Sequence, residues 1–137
     1  MSNKLRMCTV LLLALLVSNA AVARVTITQA WSPVRPTSTG VAYFTAVSDR
    51  DDAIISASSD CCAAVELHEH TMDGDVMRMR QVEAVELPAG KPVTFAPHGL
   101  HVMLIGMKTT PAIGDTIPVT LTFKHAAAQQ IRITVRK

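Results

Sequence analysis

The chain has 137 residues, with 13 Lys and Arg against 11 Asp and Glu, and only 4% aromatic residues. That charge balance excludes a basic nucleic-acid surface and a polybasic lipid-binding segment. The length suits one domain with its own core. The first segment is set apart from the rest. Lys4 and Arg6 precede the apolar run Met7 to Val17, which is followed by Ala21-Val22-Ala23. Charge, apolar run and small residues in that order read as a secretory signal peptide over residues 1–23. The run is too short to act as a stable membrane anchor. Cleavage after Ala23 leaves 114 residues, 24–137, and removes two of the 13 basic residues, so that 11 face the 11 acidic ones. The expected product is a near-neutral exported domain in the periplasm, with Cys8 lost in the leader.

The remainder reads as all-β. Short runs of β-branched and aromatic residues are separated by Gly, Pro, Asp and Ser. Strands are expected at Val25–Trp31, Val41–Val47 and Ala53–Ser58, and then at Val65–Thr71 and Val76–Arg80. Four more follow at Pro92–Phe95, His101–Gly106, Thr116–Phe123 and Gln130–Val135. Turns are expected at Ser32-Pro33, Arg35-Pro36, Asp49 to Asp52, Asp73-Gly74, Pro88 to Gly90, Pro97 to Gly99 and Gly114-Asp115. Such short strands at this spacing argue for a β-sandwich or barrel with Greek-key links. Cys61 and Cys62 are adjacent, and on a strand they would point to opposite faces. They are expected to be small buried hydrophobes rather than a bridge. An intermolecular disulfide and an auxiliary metal ligand are the alternatives.

One spacing carries chemistry: His68, ten residues, Met79, twenty-one residues, His101, one residue, Met103. Two imidazoles and two thioethers suit a soft monovalent copper ion, because a thioether is a poor ligand for zinc, magnesium or calcium. Placing Asp73-Gly74 at the centre of a two-residue hairpin turn pairs His68 with Met79, His70 with Met77 and Glu69 with Arg78. Side chains alternate along a strand, so His68, His70, Met77 and Met79 share one face. His101 and Met103 are two apart and share a face of a third strand. A lone Met is usually core filler and a lone His a satisfied polar residue. Here the argument is convergence of four such residues. His70 and Met77 are auxiliary candidates. Met72, Met107, His98 and His125 are expected to be structural or solvated.

With these residues in place, the chain resembles the periplasmic copper chaperone family PCuAC. His68, Met79, His101 and Met103 match that family's spacing without insertion. Val65-Glu66-Leu67-His68-Glu69, Met72-Asp73-Gly74, Val76-Met77-Arg78-Met79-Arg80, Leu87-Pro88-Ala89-Gly90 and Gly40-Val41-Ala42-Tyr43-Phe44 fit it as well. The resemblance implies a cupredoxin-like β-sandwich that binds Cu(I). It also implies transfer of the ion to the CuA centre of cytochrome c oxidase, alone or with Sco-type proteins. His70 stands where members commonly have Met, and Cys61-Cys62 lies outside the family pattern.

Five readings compete, one of them a periplasmic adhesion or scaffold sandwich that binds no metal. Copper carriage comes first, with no enzymatic activity. An electron-transfer cupredoxin would need a Cys in a His₂Cys set, and none lies near His101-Val102-Met103. Periplasmic copper storage or tolerance would use the same ligands. A hydrolase or oxidase would need a nucleophile elbow or a carboxylate pair, and neither stands out.

Overall fold

The computed structural model describes residues 22–137, so residues 1–21, where most of the expected signal peptide and Cys8 fall, lie outside it. Ten strands form in chain order: β1 (Val25–Pro33), β2 (Gly40–Ser48), β3 (Asp52–Ser58), β4 (Cys62–Asp73) and β5 (Val76–Gln81). They continue with β6 (Val85–Leu87), β7 (Val93–Thr94), β8 (His101–Met107), β9 (Thr116–Phe123) and β10 (Gln129–Arg136). All nine expected strands form. The tenth, β6, is only three residues long and stops at Pro88, too short for its alternation to stand out in the sequence.

The strands hydrogen-bond in the order β5-β4-β8-β2-β1-β10-β9-β3-β6, with β7 on β2. The two limbs of this path share one core. Ala42, Phe44, Leu67, Val102 and Leu104 come from one limb, and Ile54, Leu87, Leu121, Ile131 and Ile133 from the other. Period-two alternation explains the division of labour. On β4 and β8 the cross-strand pairs Leu67 with Val102 and Val65 with Leu104 face inward. The residues between them, Glu66, His68, His101 and Met103, therefore point to the opposite face. The hairpin strand β5 is the outer edge, exposed along its whole length.

Cys61 and Cys62 correct an expectation. They are joined to each other by a disulfide rather than left as separate thiols. Cys61 lies in a turn ahead of β4, so the opposed side-chain directions of a regular strand do not apply to the pair.

Candidate metal centre

The hairpin forms one residue away from the expected register. Its two-residue loop is Gly74-Asp75, with Asp73 paired to Val76, and Gly74 takes φ +63°. Gly at the first loop position with positive φ is the glycine-first hairpin turn, and it spares Asp73 that conformation. Consequently His70 pairs with Met79, Met72 with Met77, and His68 with Gln81, rather than His68 with Met79. Glu69 meets Arg80 at 2.7 Å instead of Arg78, which turns to Asp73 at 3.1 Å. Moving the loop by one residue moves every partner by two. The shared face of His68, His70, Met77 and Met79 is therefore unchanged.

The third strand lies where the ligand pattern needs it. β8 runs antiparallel to β4, with His101 opposite His68 and Met103 opposite Glu66. The His68 and His101 rings are 5.7 Å apart and the His70 and His101 rings 4.8 Å apart. His101 Nε2 lies 3.1 Å from Met79 Sδ. Met103 is partly buried on the same face, between Glu66 of β4 and Val41 of β2.

Hydrogen bonds fix which ring nitrogens are free. The Gly99 carbonyl can only accept, so His101 Nδ1–H donates to it at 3.0 Å. That leaves the lone pair of Nε2 facing the Met79 sulfur, which is also an acceptor. Two electron-pair donors at this distance suit a cation between them. Likewise His68 Nε2–H donates to Glu66 Oε2 at 2.7 Å, leaving Nδ1 as its acceptor nitrogen. His68 Nδ1 and His70 Nδ1 are both buried without a hydrogen-bond partner. Carboxylates and carbonyls that hold the far nitrogen of a ligating histidine are the usual support of a metal site. Sequence reasoning missed Glu66 and the Gly99 carbonyl. Glu66 was readable, two residues before His68 on one strand face, but the carbonyl has no side-chain signature.

Burial lowers the pKa of His101, whose side chain is 2% exposed. The nearby charges of His70, His68 and Arg35 lower it further, against the Gly99 bond that raises it. The ring is thus held neutral, the form that can donate to a metal. Among the described residues no group of three or more His, Cys, Asp or Glu is arranged around one ion. Any centre here depends on thioethers. Met79, at 49% exposure, opens one side of it to solvent.

Comparison with known proteins fits this geometry. The LpqE-like family matches residues 24–135. A protein of Leifsonia xyli subsp. xyli named as a lipoprotein, Lxx21020, is 27% identical over 110 residues, 80% of this chain and 60% of its own. The chain thus spans about 60% of that relative's length, a little under two thirds. An uncharacterised protein of Rickettsia prowazekii, RP573, is 29% identical over 125 residues, 84% of this chain and 68% of its own. Among solved structures, the copper-bound PCuAC domain from PmoF2 superposes with a TM-score of 0.71 at 26% identity, covering 85% of this chain and 95% of that one. The solution structure of apo-DR1885 from Deinococcus radiodurans gives a TM-score of 0.63 at 26% identity, covering 100% of this chain and 97% of that one. The resemblance to PCuAC domains and the cupredoxin-like β fold are therefore borne out.

Proposed function

The chain belongs to the LpqE-like family, and from that premise we propose that it is a copper chaperone that carries Cu(I) on His68, Met79, His101 and Met103. The observation that carries the reading is His101 Nε2 facing Met79 Sδ at 3.1 Å. One is a buried neutral imidazole and the other an exposed thioether, and both are donors suited to Cu(I). Relatives in structure support the choice of metal, since they include a copper-bound PCuAC domain and a Cu(I) form of DR1885.

Carriage follows from the chemistry of the donors. Neutral imidazoles and thioethers hold Cu(I) without adding ligand charge, and the thioethers need lose no proton first. His101 is buried while Met79 is exposed. An acceptor's ligands can therefore enter on the Met79 side while His101 still holds the ion. No step of this requires catalysis. The acceptor in this reading is the CuA subunit of cytochrome c oxidase or a Sco-type protein. The compartment is the periplasm, reached through cleavage of residues 1–23. Electron transfer is disfavoured by the bond between Cys61 and Cys62, which removes the thiolate a blue-copper site needs.

Titration of Cu(I) against a competing chelator tests the reading. Wild-type protein should take up one Cu(I), and Met79→Ala with Met103→Ala should weaken it at least tenfold. Unchanged affinity in the double variant would defeat it. X-ray absorption of the loaded protein should count both sulfur and nitrogen neighbours.

A further inference from the structure

The hairpin of β4 and β5 has two unlike faces. One carries the ion pairs of Glu69 with Arg80 and of Asp73 with Arg78. The other carries sulfur. Met72 stands directly opposite Met77, and Met79, two residues further along β5, stands opposite His70. Met72 is 61% exposed, Met77 47% and Met79 49%. At such exposure a methionine fills no core, and β5 is the edge of the sheet. Three large apolar side chains held side by side in water need another reason.

Their order along the face supplies one. Met79 Sδ lies 3.1 Å from His101 Nε2, inside the proposed Cu(I) centre. Met77 is the next residue outward on that face of β5, and Met72 lies across from it, one pair short of the loop. Directly opposed side chains start about 5 Å apart at Cβ. Alternate residues of one strand are about 7 Å apart. A methionine stem has three rotatable bonds, so neighbouring sulfurs at these spacings can meet on one ion. Thioethers are soft donors that select Cu(I). The row therefore runs from the open tip of the hairpin to the buried His101.

We propose that Met72 and Met77 form an outer Cu(I) site, from which the ion passes to Met79 and His101. The ion is first held by the sulfurs of Met72 and Met77. The Met79 sulfur then bonds to it as Met72 leaves, and His101 Nε2 bonds as Met77 leaves. Each step replaces one neutral lone-pair donor by another, so copper stays Cu(I) and no proton or electron moves. At no point do fewer than two donors hold the ion. The inference rests on the carrier reading and adds the route by which that centre is filled.

The test is anaerobic stopped-flow mixing of the protein with Cu(I) on a coloured chelator, beside equilibrium titration against the same chelator. Met72→Leu, Met77→Leu and the double variant remove sulfur while keeping apolar volume. Loss of an outer site raises the barrier to entry and leaves the final ligands in place. Uptake in the double variant should therefore slow about tenfold, with Cu(I) affinity close to wild type. At equal affinity, release to the chelator must slow by the same factor. Met77→Leu alone should slow uptake more than Met72→Leu, because Met77 serves both steps. Wild-type rates in the double variant would overturn the proposal and leave the carrier reading intact. A loss of affinity as large as the loss of rate would also overturn it, by placing these sulfurs in the final centre. Wild-type protein that takes up no Cu(I) would sink the carrier reading, and the route with it.

Discussion

Glu66 shows how one side chain acts on the site through another. It contacts His68 Nε2 at 2.7 Å and leaves the buried Nδ1 as the donor nitrogen. Without the carboxylate the ring can turn or protonate the wrong nitrogen, so the proposed ligand is present but misdirected. Loss of such a support typically weakens metal binding 10–100-fold. Glu66→Ala should therefore lower Cu(I) affinity by about that factor. Glu66→Gln should fall between, because its carbonyl oxygen still accepts from Nε2–H. The side chain is partly exposed, and the melting temperature of the copper-free protein should change little. Equal Cu(I) affinity for all three proteins would remove Glu66 from the site. The donor types were legible in the sequence because residue chemistry is local. Which nitrogen each ring offers was not, because it depends on the Gly99 carbonyl, brought in by tertiary structure.

At the level of strands, the hairpin shows what period-two reasoning delivers. The face of His68, His70, Met77 and Met79 was legible, since a one-residue change of loop shifts partners by two and preserves faces. The partners themselves were not. The choice between Asp73-Gly74 and Gly74-Asp75 turns on which residue accepts positive φ, since either register gives Glu69 an arginine partner. The neighbouring pair β4–β8 holds a second such constraint. Gly106 has φ +66°, and a Cβ there would stand 2.9 Å from Ala63 Cβ. The close approach keeps β8 in register with β4, and so keeps His101 opposite His68. Gly106→Ala should cost about 2 kcal/mol or more, combining a left-handed non-glycine residue with a steric clash. Ala63→Gly should relieve only the clash. In a double-mutant cycle by urea unfolding, the double variant should be more stable than the single effects sum to. Additive effects would mean the Ala63 contact is not what excludes a side chain at Gly106.

Across the whole molecule, the strand order brings β3 and β9 side by side, a pairing that no local pattern announces. Asp52, at the start of β3, secures that junction. It is 4% exposed, and its Oδ1 accepts from the backbone N–H of Ala53 at 2.8 Å and of His125 at 2.9 Å. Its Oδ2 accepts from Ala126 N–H at 2.9 Å. Burial alone would raise its pKa, but these bonds and the nearby His125 outweigh it, and the pKa falls below its ordinary 3.8. The sign follows directly. The unfolded chain binds the proton more readily than the folded one, so the carboxylate's contribution is complete well above pH 3.8. It disappears as pH falls through the depressed folded value. Asp52→Asn keeps an oxygen for two of the bonds but sets an amide N–H₂ against Ala126 N–H. It should cost about 1–3 kcal/mol near neutrality. Because the amide does not titrate, the gap between wild type and variant should narrow on acidification below pH 3.8. Urea unfolding from pH 7 to about pH 2.5 reads that gap directly. A gap that stays constant over the range would mean that Asp52 holds the β3–β9 junction without being held ionised by it.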